Sequence, residues 1–105
     1  MIRRRSASAD TAMSTCYVEL LGPARLAGGV KTLALDVPGA ITIAELLSRL
    51  ARACPALIGP VVDVERGALV EGHILNRNGR DFLKDPAEVI LPGDRLLLMS
   101  SSAGG

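Results

Sequence analysis

The segment TIAELLSRLARAC, residues 42–54, decides the fold because it has the spacing of an amphipathic α-helix. Thr42 and Glu45 form a capping box that satisfies free amide groups at the helix N-terminus, and Pro55 ends the run. Apolar residues recur at intervals of three and four, which places them on one stripe of the helix. We therefore expect one main helix with a stripe to bury, formed by Ile43, Leu46, Leu47, Leu50, Ala51 and Cys54.

Two strands are predicted before this helix. Residues 16–21 form an extended run, and in residues 31–37 Leu33, Leu35 and Val37 alternate with the smaller or polar Thr32, Ala34 and Asp36. The stretch between them contains Gly28 and Gly29, which are typical of a turn. These features predict a β-hairpin that leads into the helix.

Further strands are predicted after the helix. Residues 73–77 run into an Asn-Gly pair at residues 78–79, and an extended stretch resumes at residues 80–83. Asn-Gly is the strongest short hairpin signal, because both residues tolerate positive φ. A Pro-Gly pair at residues 92–93 suits a type II turn, and it precedes a last strand at residues 95–99.

This order of elements predicts an α+β domain of two layers. A single helix covers only one face of a small sheet, so the other face stays open. The last strand contains the unbroken apolar run Leu96-Leu97-Leu98-Met99, which suits a central position in a sheet of four to five strands. One alternate pair, Leu96/Leu98 or Leu97/Met99, then faces the helix, and the other pair faces outward.

Composition excludes several classes of protein. With 105 residues and 49% hydrophobic side chains, the chain is predicted to fold as one globular domain. Its net charge of +1 and its two aromatic residues argue against a nucleic-acid binder. No apolar run approaches the ~20 residues of a membrane-spanning helix, and the N-terminus lacks the apolar core of a secretory signal. We expect a cytoplasmic protein with no membrane partner.

The two ends of the chain have a different character from the rest. Residues 1–15 are rich in Arg, Ser and Ala without strand or helix periodicity, and we expect a disordered arm. Met13 is an alternative start of the chain. Residues 16–100 form the predicted domain, and residues 101–105 have nothing to bury, so we expect a flexible C-terminal Gly-Gly tail.

The side chains offer no active site. His73 is the only histidine and has no triad motif around it, so we expect a surface or strand-edge residue. Cys16 and Cys54 match no metal or redox spacing and are expected to act as small buried hydrophobes. No phosphate-binding glycine motif is present in the sequence. We predict no catalytic residue, no metal site and no bound cofactor.

The C-terminal glycines suggest chemistry on the backbone. Residues without a Cβ approach other backbones closely and adopt any φ, so Gly104 and Gly105 can pass through a narrow channel into a partner's active site. A carboxylate is a poor electrophile and needs activation, most simply as an acyl-adenylate. Attack by a persulfide and reduction would then leave a thiocarboxylate on Gly105. The alternative is a terminus with no role.

Five segments together resemble the MoaD/ThiS family of ubiquitin-like sulfur carriers, which have the β-grasp fold. The resemblance covers about residues 16–105, and the Gly-Asp turn one strand before the terminal Gly-Gly is its most specific part. The matching segments are VELLG at 18–22, TIAELL at 42–47, ILN at 74–76, LPGDRL at 91–96 and AGG at 103–105.

This resemblance implies that an adenylating enzyme uses ATP to convert Gly105 to a thiocarboxylate, with Ala103 and Gly104 presenting it. A sulfur-accepting synthase subunit would be the second partner, and a hetero-oligomer is expected. The acceptor stays open: molybdopterin is favoured although residues 100–102 are serines where that branch commonly has prolines, and the thiamin thiazole is possible. The outward pair of residues from Leu96, Leu97, Leu98 and Met99 would form an apolar docking patch.

Two alternatives remain at this stage. Related carriers serve tRNA thiolation or become conjugated to lysines as protein modifiers, also through Gly105. A β-grasp interaction module with an inert tail is the third possibility. What happens at Gly105 distinguishes all three.

Overall fold

The computed structural model describes residues 13–101. Most of the predicted N-terminal arm and residues 102–105 of the predicted tail lie outside this range. The first strand begins at Ser14, two residues earlier than the sequence indicated. The elements in chain order are β1 (Ser14–Leu20), α1 (Pro23–Gly28), β2 (Thr32–Val37), β3 (Ile41–Thr42), α2 (Ile43–Ala53), a 3-10 turn (Pro55–Leu57), β4 (Val62–Asp63), β5 (Ala68–Leu69), β6 (His73–Arg77), β7 (Asp81–Leu83), β8 (Val89–Ile90) and β9 (Arg95–Ser100).

Five of these strands form one mixed sheet in the order β2-β1-β9-β6-β7. Strands β1 and β9 are parallel, and the other neighbours are antiparallel. The last strand is therefore central, as predicted, and the α+β class with a ubiquitin-like β-grasp is confirmed. Two short pairs, β3-β8 and β4-β5, extend the structure beside the main sheet.

The predicted main helix is confirmed as α2, and its apolar stripe packs on one face of the sheet. The Thr42 hydroxyl accepts a hydrogen bond from the Glu45 amide at 3.2 Å, as the capping box requires. Glu45 also pairs with Arg49 at 3.0 Å, one turn later. The stripe meets a row of leucines that crosses four strands in register, namely Leu20, Leu98, Leu75 and Leu83.

Both turns that were predicted after the main helix are confirmed. Asn78 and Gly79 have φ values of 57° and 73°, which turns β6 back into β7. Gly93 has a φ of 93°, and the Asp94 amide donates to the Leu91 carbonyl at 3.0 Å, which closes the turn before β9.

Several short elements were not predicted from the sequence, including the β3-β8 pair. The connection between the first strands contains α1, which begins at Pro23, buries Ala24 and ends with Gly29 in the left-handed region. Six residues are too few to show a helical period, which is why the sequence indicated only a turn. No element was predicted between the main helix and residue 73, but this stretch contains β4, which pairs with β5.

The prediction for the two cysteines is confirmed. Cys16 and Cys54 are free and buried, at 1% and 7% exposure. Burial of the thiol, with a smaller contribution from the Asp94 carboxylate, raises the pKa of Cys16. A thiol that resists ionisation is a poor nucleophile, so Cys16 acts as a packing residue.

Asn78 connects the two turns, and its loss is expected to lower stability. Its side-chain oxygen accepts from the Arg95 amide at 2.8 Å, and its side-chain nitrogen donates to the Asp94 carboxylate at 3.2 Å. Asn78→Ala removes both bonds and places a Cβ-bearing residue without αL preference at positive φ. We expect the free energy of unfolding in urea to fall by about 1–3 kcal/mol.

Asn78→Gly is the matched variant, because glycine adopts positive φ without strain. It loses the same side-chain bonds but has no strain at positive φ, so it should be less destabilised than Asn78→Ala. Equal stability of Asn78→Ala and the native chain would contradict this role of Asn78.

Candidate functional site

The central strand β9 determines where the described part of the chain ends. β9 ends at Ser100, and the amide of Ser101 donates to the carbonyl of Gly72 at 2.8 Å. This bond ties the chain to the start of β6 immediately after the strand. The predicted working residue Gly105, with Ala103 and Gly104, follows within four residues and lies outside the described part of the chain.

The two faces of β9 differ in burial, and this resolves the choice between the predicted pairs. Leu96 and Leu98 are fully buried on the side of α2, where neither can contact a partner. Leu97 and Met99 point to the opposite side and are only half-buried. Of the four predicted docking residues, Leu96 and Leu98 are therefore corrected to core, because successive side chains of a strand alternate between its faces.

Neighbouring strands add further apolar side chains on the side of Leu97 and Met99. Met99 lies opposite Ile74 of β6, and Leu97 lies in the same cross-strand row as Phe82 of β7. Tyr17 of β1 shares this face and is 52% exposed, while Phe82 is 55% exposed. We call the surface formed by Tyr17, Ile74, Phe82, Leu97 and Met99 the open face.

Polar side chains also lie on this side of the sheet, and Arg95 of β9 is opposite Tyr17 of β1. Glu19 and Asn76 lie on either side of Leu97 in the sheet register. Asn76 is only 4% exposed, and its side-chain oxygen has no hydrogen-bond partner among residues 13–101. An apolar surface with a few fixed polar groups is typical of the centre of a protein–protein interface. The open face can thus bind a partner, and it contains no nucleophile with a base beside it.

His73 lies at the start of β6, opposite Ser100 of β9. This agrees with the predicted position in a strand, and the ring is half-buried. Its Nδ1 lies 3.2 Å from the Val70 carbonyl. Within the described range, no group of three His, Cys, Asp or Glu side chains could hold a metal ion. No helix between residues 13 and 101 is long and apolar enough to cross a membrane.

Three open-face residues were not identified from the sequence, namely Tyr17, Ile74 and Phe82. Each lies in a strand that was predicted, but their proximity depends on how β1, β6 and β7 align with β9. The available signal was the period of two within each strand. It assigns residues to one face or the other but does not align separate strands.

Solved structures with the same fold include two small archaeal modifier proteins. SAMP1 from Haloferax volcanii is 28% identical with a TM-score of 0.72, over 87% of this chain and 99% of that chain. SAMP1 from Methanosarcina acetivorans is 20% identical with a TM-score of 0.65, over 89% of this chain and 98% of that chain.

A third similar structure is Urm1 from Trypanosoma brucei, which is 18% identical with a TM-score of 0.53. It covers 89% of this chain and 97% of that chain. At 20% and 18% identity, the Methanosarcina and Trypanosoma proteins support the β-grasp fold alone. No protein-family model matches this sequence, and no curated protein matches it.

Proposed function

We propose that this chain is a ubiquitin-like sulfur carrier whose working group is the carboxylate of Gly105. The main support is the position of β9, a central strand that carries Leu97 and Met99 of the open face and ends at Ser100, shortly before Gly105 in the sequence. The sequence that follows ends in Ala103, Gly104 and Gly105. In this proposal the domain is bound by an activating enzyme, and that enzyme catalyses the reaction at Gly105.

The proposed reaction has three steps: adenylation, displacement of AMP by a persulfide, and reduction. The Gly105 carboxylate attacks the α-phosphorus of ATP, which releases pyrophosphate and leaves an acyl-adenylate. A persulfide on the partner's side then displaces AMP, and a thiol reductant cleaves the sulfur–sulfur bond to leave a thiocarboxylate. This chain supplies the reacting carboxylate on a Gly-Gly end, which can enter a narrow channel because neither residue has a Cβ.

The open face is the proposed contact with that enzyme. Its apolar side chains lie on β9 and on neighbouring strands, so they have a fixed geometry relative to the start of the tail. A partner that binds there also positions the last residues, which lowers the entropic cost of bringing Gly105 to ATP. The thiocarboxylate then passes sulfur to a synthase subunit, with molybdopterin as the favoured acceptor and the thiamin thiazole as the other cofactor branch.

Conjugation to other proteins is the second candidate function. The observation in its favour is the similarity to SAMP1 of Haloferax volcanii, a small archaeal modifier protein with 28% identity over nearly its whole length. The same acyl-adenylate serves both functions, because a lysine amine can take the place of the persulfide. Transfer of the sulfur to tRNA is a further variant of the carrier function.

Intact-mass measurement distinguishes these functions. The chain is incubated with ATP, a sulfur donor and a candidate activating enzyme, first alone and then with cell extract. Exchange of one oxygen for sulfur supports the carrier, and adducts of this chain on other proteins support the modifier. If no activating enzyme produces either change, the interaction module with an inert tail is favoured and the proposal fails.

A charge on the open face is expected to weaken activation. Leu97→Arg places a cation where the proposed partner contacts apolar side chains, and Glu19 across the strands can pair with it in the free protein. We expect kcat/KM for adenylation to fall about 10-fold or more, because the interface would have to bury a charged side chain in place of an apolar one. The measurement is pyrophosphate release at several chain concentrations.

Leu91→Arg is the matched control, since it makes the same change of charge. Leu91 is 54% exposed and precedes the turn into β9, at the end of the strand away from the tail. It should leave adenylation unchanged. If both variants are activated at the native rate, the open face is not the docking surface.

A further inference from the structure

A cleft lies on the helix side of the sheet, and Ile74 borders both this cleft and the open face. Its volume is about 590 Å³, and its walls come from α2, the β4-β5 hairpin, β6 and β7. Leu47, Leu69 and Leu83 are among its apolar lining residues. The cleft exists because one helix does not cover all five strands, so the β6-β7 side of the sheet is left partly uncovered.

The last described residue, Ser101, borders this cleft. Its amide is held by the Gly72 carbonyl at 2.8 Å, so the chain beyond it starts at the cleft. Residues 102–105 follow, and four extended residues span about 13 Å. A sphere with the volume of the cleft is about 10 Å across. The remaining chain is thus long enough to cross it.

Two cationic side chains line the cleft. Lys84 forms no ion pair with any residue in the range 13–101, and the contact of Arg66 with Asp63 is long, at 3.8 Å. The C-terminal carboxylate of Gly105 is an anion of matching charge. Exposed cations without close partners bind a carboxylate weakly, but here the carboxylate is tethered within reach, which raises its effective concentration.

His73 offers a third binding group in the same cleft. The Val70 carbonyl can only accept, so the proton of the neutral ring lies on Nδ1 and the lone pair lies on Nε2. Nε2 is shielded from solvent and has no partner in the described part of the chain. A buried acceptor of this kind is stabilised by a backbone N–H, which an entering peptide segment supplies.

From these observations we propose that the cleft binds residues 102–105 of the same chain, with the Gly105 carboxylate beside Lys84 and Arg66. Small side chains fit the apolar walls, and a backbone amide of the segment donates to His73 Nε2. The segment would then rest on the helix side of the sheet, away from the open face. This proposal does not depend on sulfur transfer, and it holds or fails on the isolated protein.

The test compares ¹H–¹⁵N NMR spectra of the full chain and of a chain that lacks residues 102–105. We expect truncation to shift the amide signals of Leu69, His73 and Lys84 and the ¹⁵N signal of His73 Nε2, whereas the signals of Tyr17, Phe82 and Leu97 on the open face stay in place. Equal cleft signals in the two chains would overturn the proposal.

Lys84→Gln in the full chain should lower the bound fraction about two- to five-fold and move the cleft signals towards those of the truncated chain. Lys31→Gln is the control, because Lys31 is the only other lysine and lies outside the cleft. If Lys84→Gln has no more effect than Lys31→Gln, the carboxylate site is refuted. Cleft signals that change on dilution would show binding between two copies and overturn binding within one chain.

Discussion

Deletion of Gly105 is expected to abolish activation of the chain, with a loss of at least about 100-fold in the rate of adenylation. The deleted chain still ends in glycine, Gly104, and still has a carboxylate. That carboxylate lies about one residue, roughly 3.3 Å, short of its position in the native chain. Misplacement by about 1 Å already costs about 100-fold in a reaction that depends on positioning, so the new terminus cannot substitute for the old one.

Two further variants show whether length or residue type matters. Deletion of Ser102 keeps Gly104 and Gly105 but shortens the segment by one residue, so it should be nearly as harmful as loss of Gly105. Gly105→Ala keeps the length and adds a Cβ next to the carboxylate, which tests the narrow channel directly. Native rates of pyrophosphate release with all three variants would contradict the proposed role of the terminus.

Leu98→Ala is expected to cause a large loss of stability, because Leu98 lies at the centre of the core. It is fully buried and is in register with Leu20 on one side and Leu75 on the other. Truncation removes apolar contacts with two central strands and leaves a cavity beneath α2. We expect the free energy of unfolding in urea to fall by about 2–5 kcal/mol.

Leu97→Ala is the matched control on the same strand. Leu97 is half-buried on the open face, so its truncation leaves a surface depression that water can fill. We expect a loss below about 1.5 kcal/mol in the same urea titration, together with weaker activation. If the two variants lose equal stability, the assignment of the two faces of β9 is wrong.

Local signals in the sequence predicted most of the fold. The helix α2 was predictable because its period, its Thr42 cap and its end at Pro55 all lie within one short segment. The turns at Asn78-Gly79 and Pro92-Gly93 were predictable because positive φ favours particular residue types. The elements α1, β3-β8 and β4-β5 were missed, since elements of two to six residues are too short to show a period.

The candidate site was only partly predictable. In an unbroken apolar run, the residues on both faces of the strand are apolar. The sequence therefore could not distinguish the core pair Leu96/Leu98 from the outward pair Leu97/Met99. Burial decides between them, because α2 covers only one side of the sheet. The rest of the open face depends on the alignment of separate strands, and that alignment is set by the fold as a whole.

The most direct test of the account is the position of the chemical change after activation. The chain is treated with ATP, a sulfur donor and the activating enzyme, and the intact protein is then fragmented in a mass spectrometer. We predict that the exchanged sulfur, or the adenylate trapped without a sulfur donor, lies on the fragment that ends in Gly105. A modification confined to any other residue, with an unchanged C-terminal fragment, would contradict the claim that Gly105 is the working group.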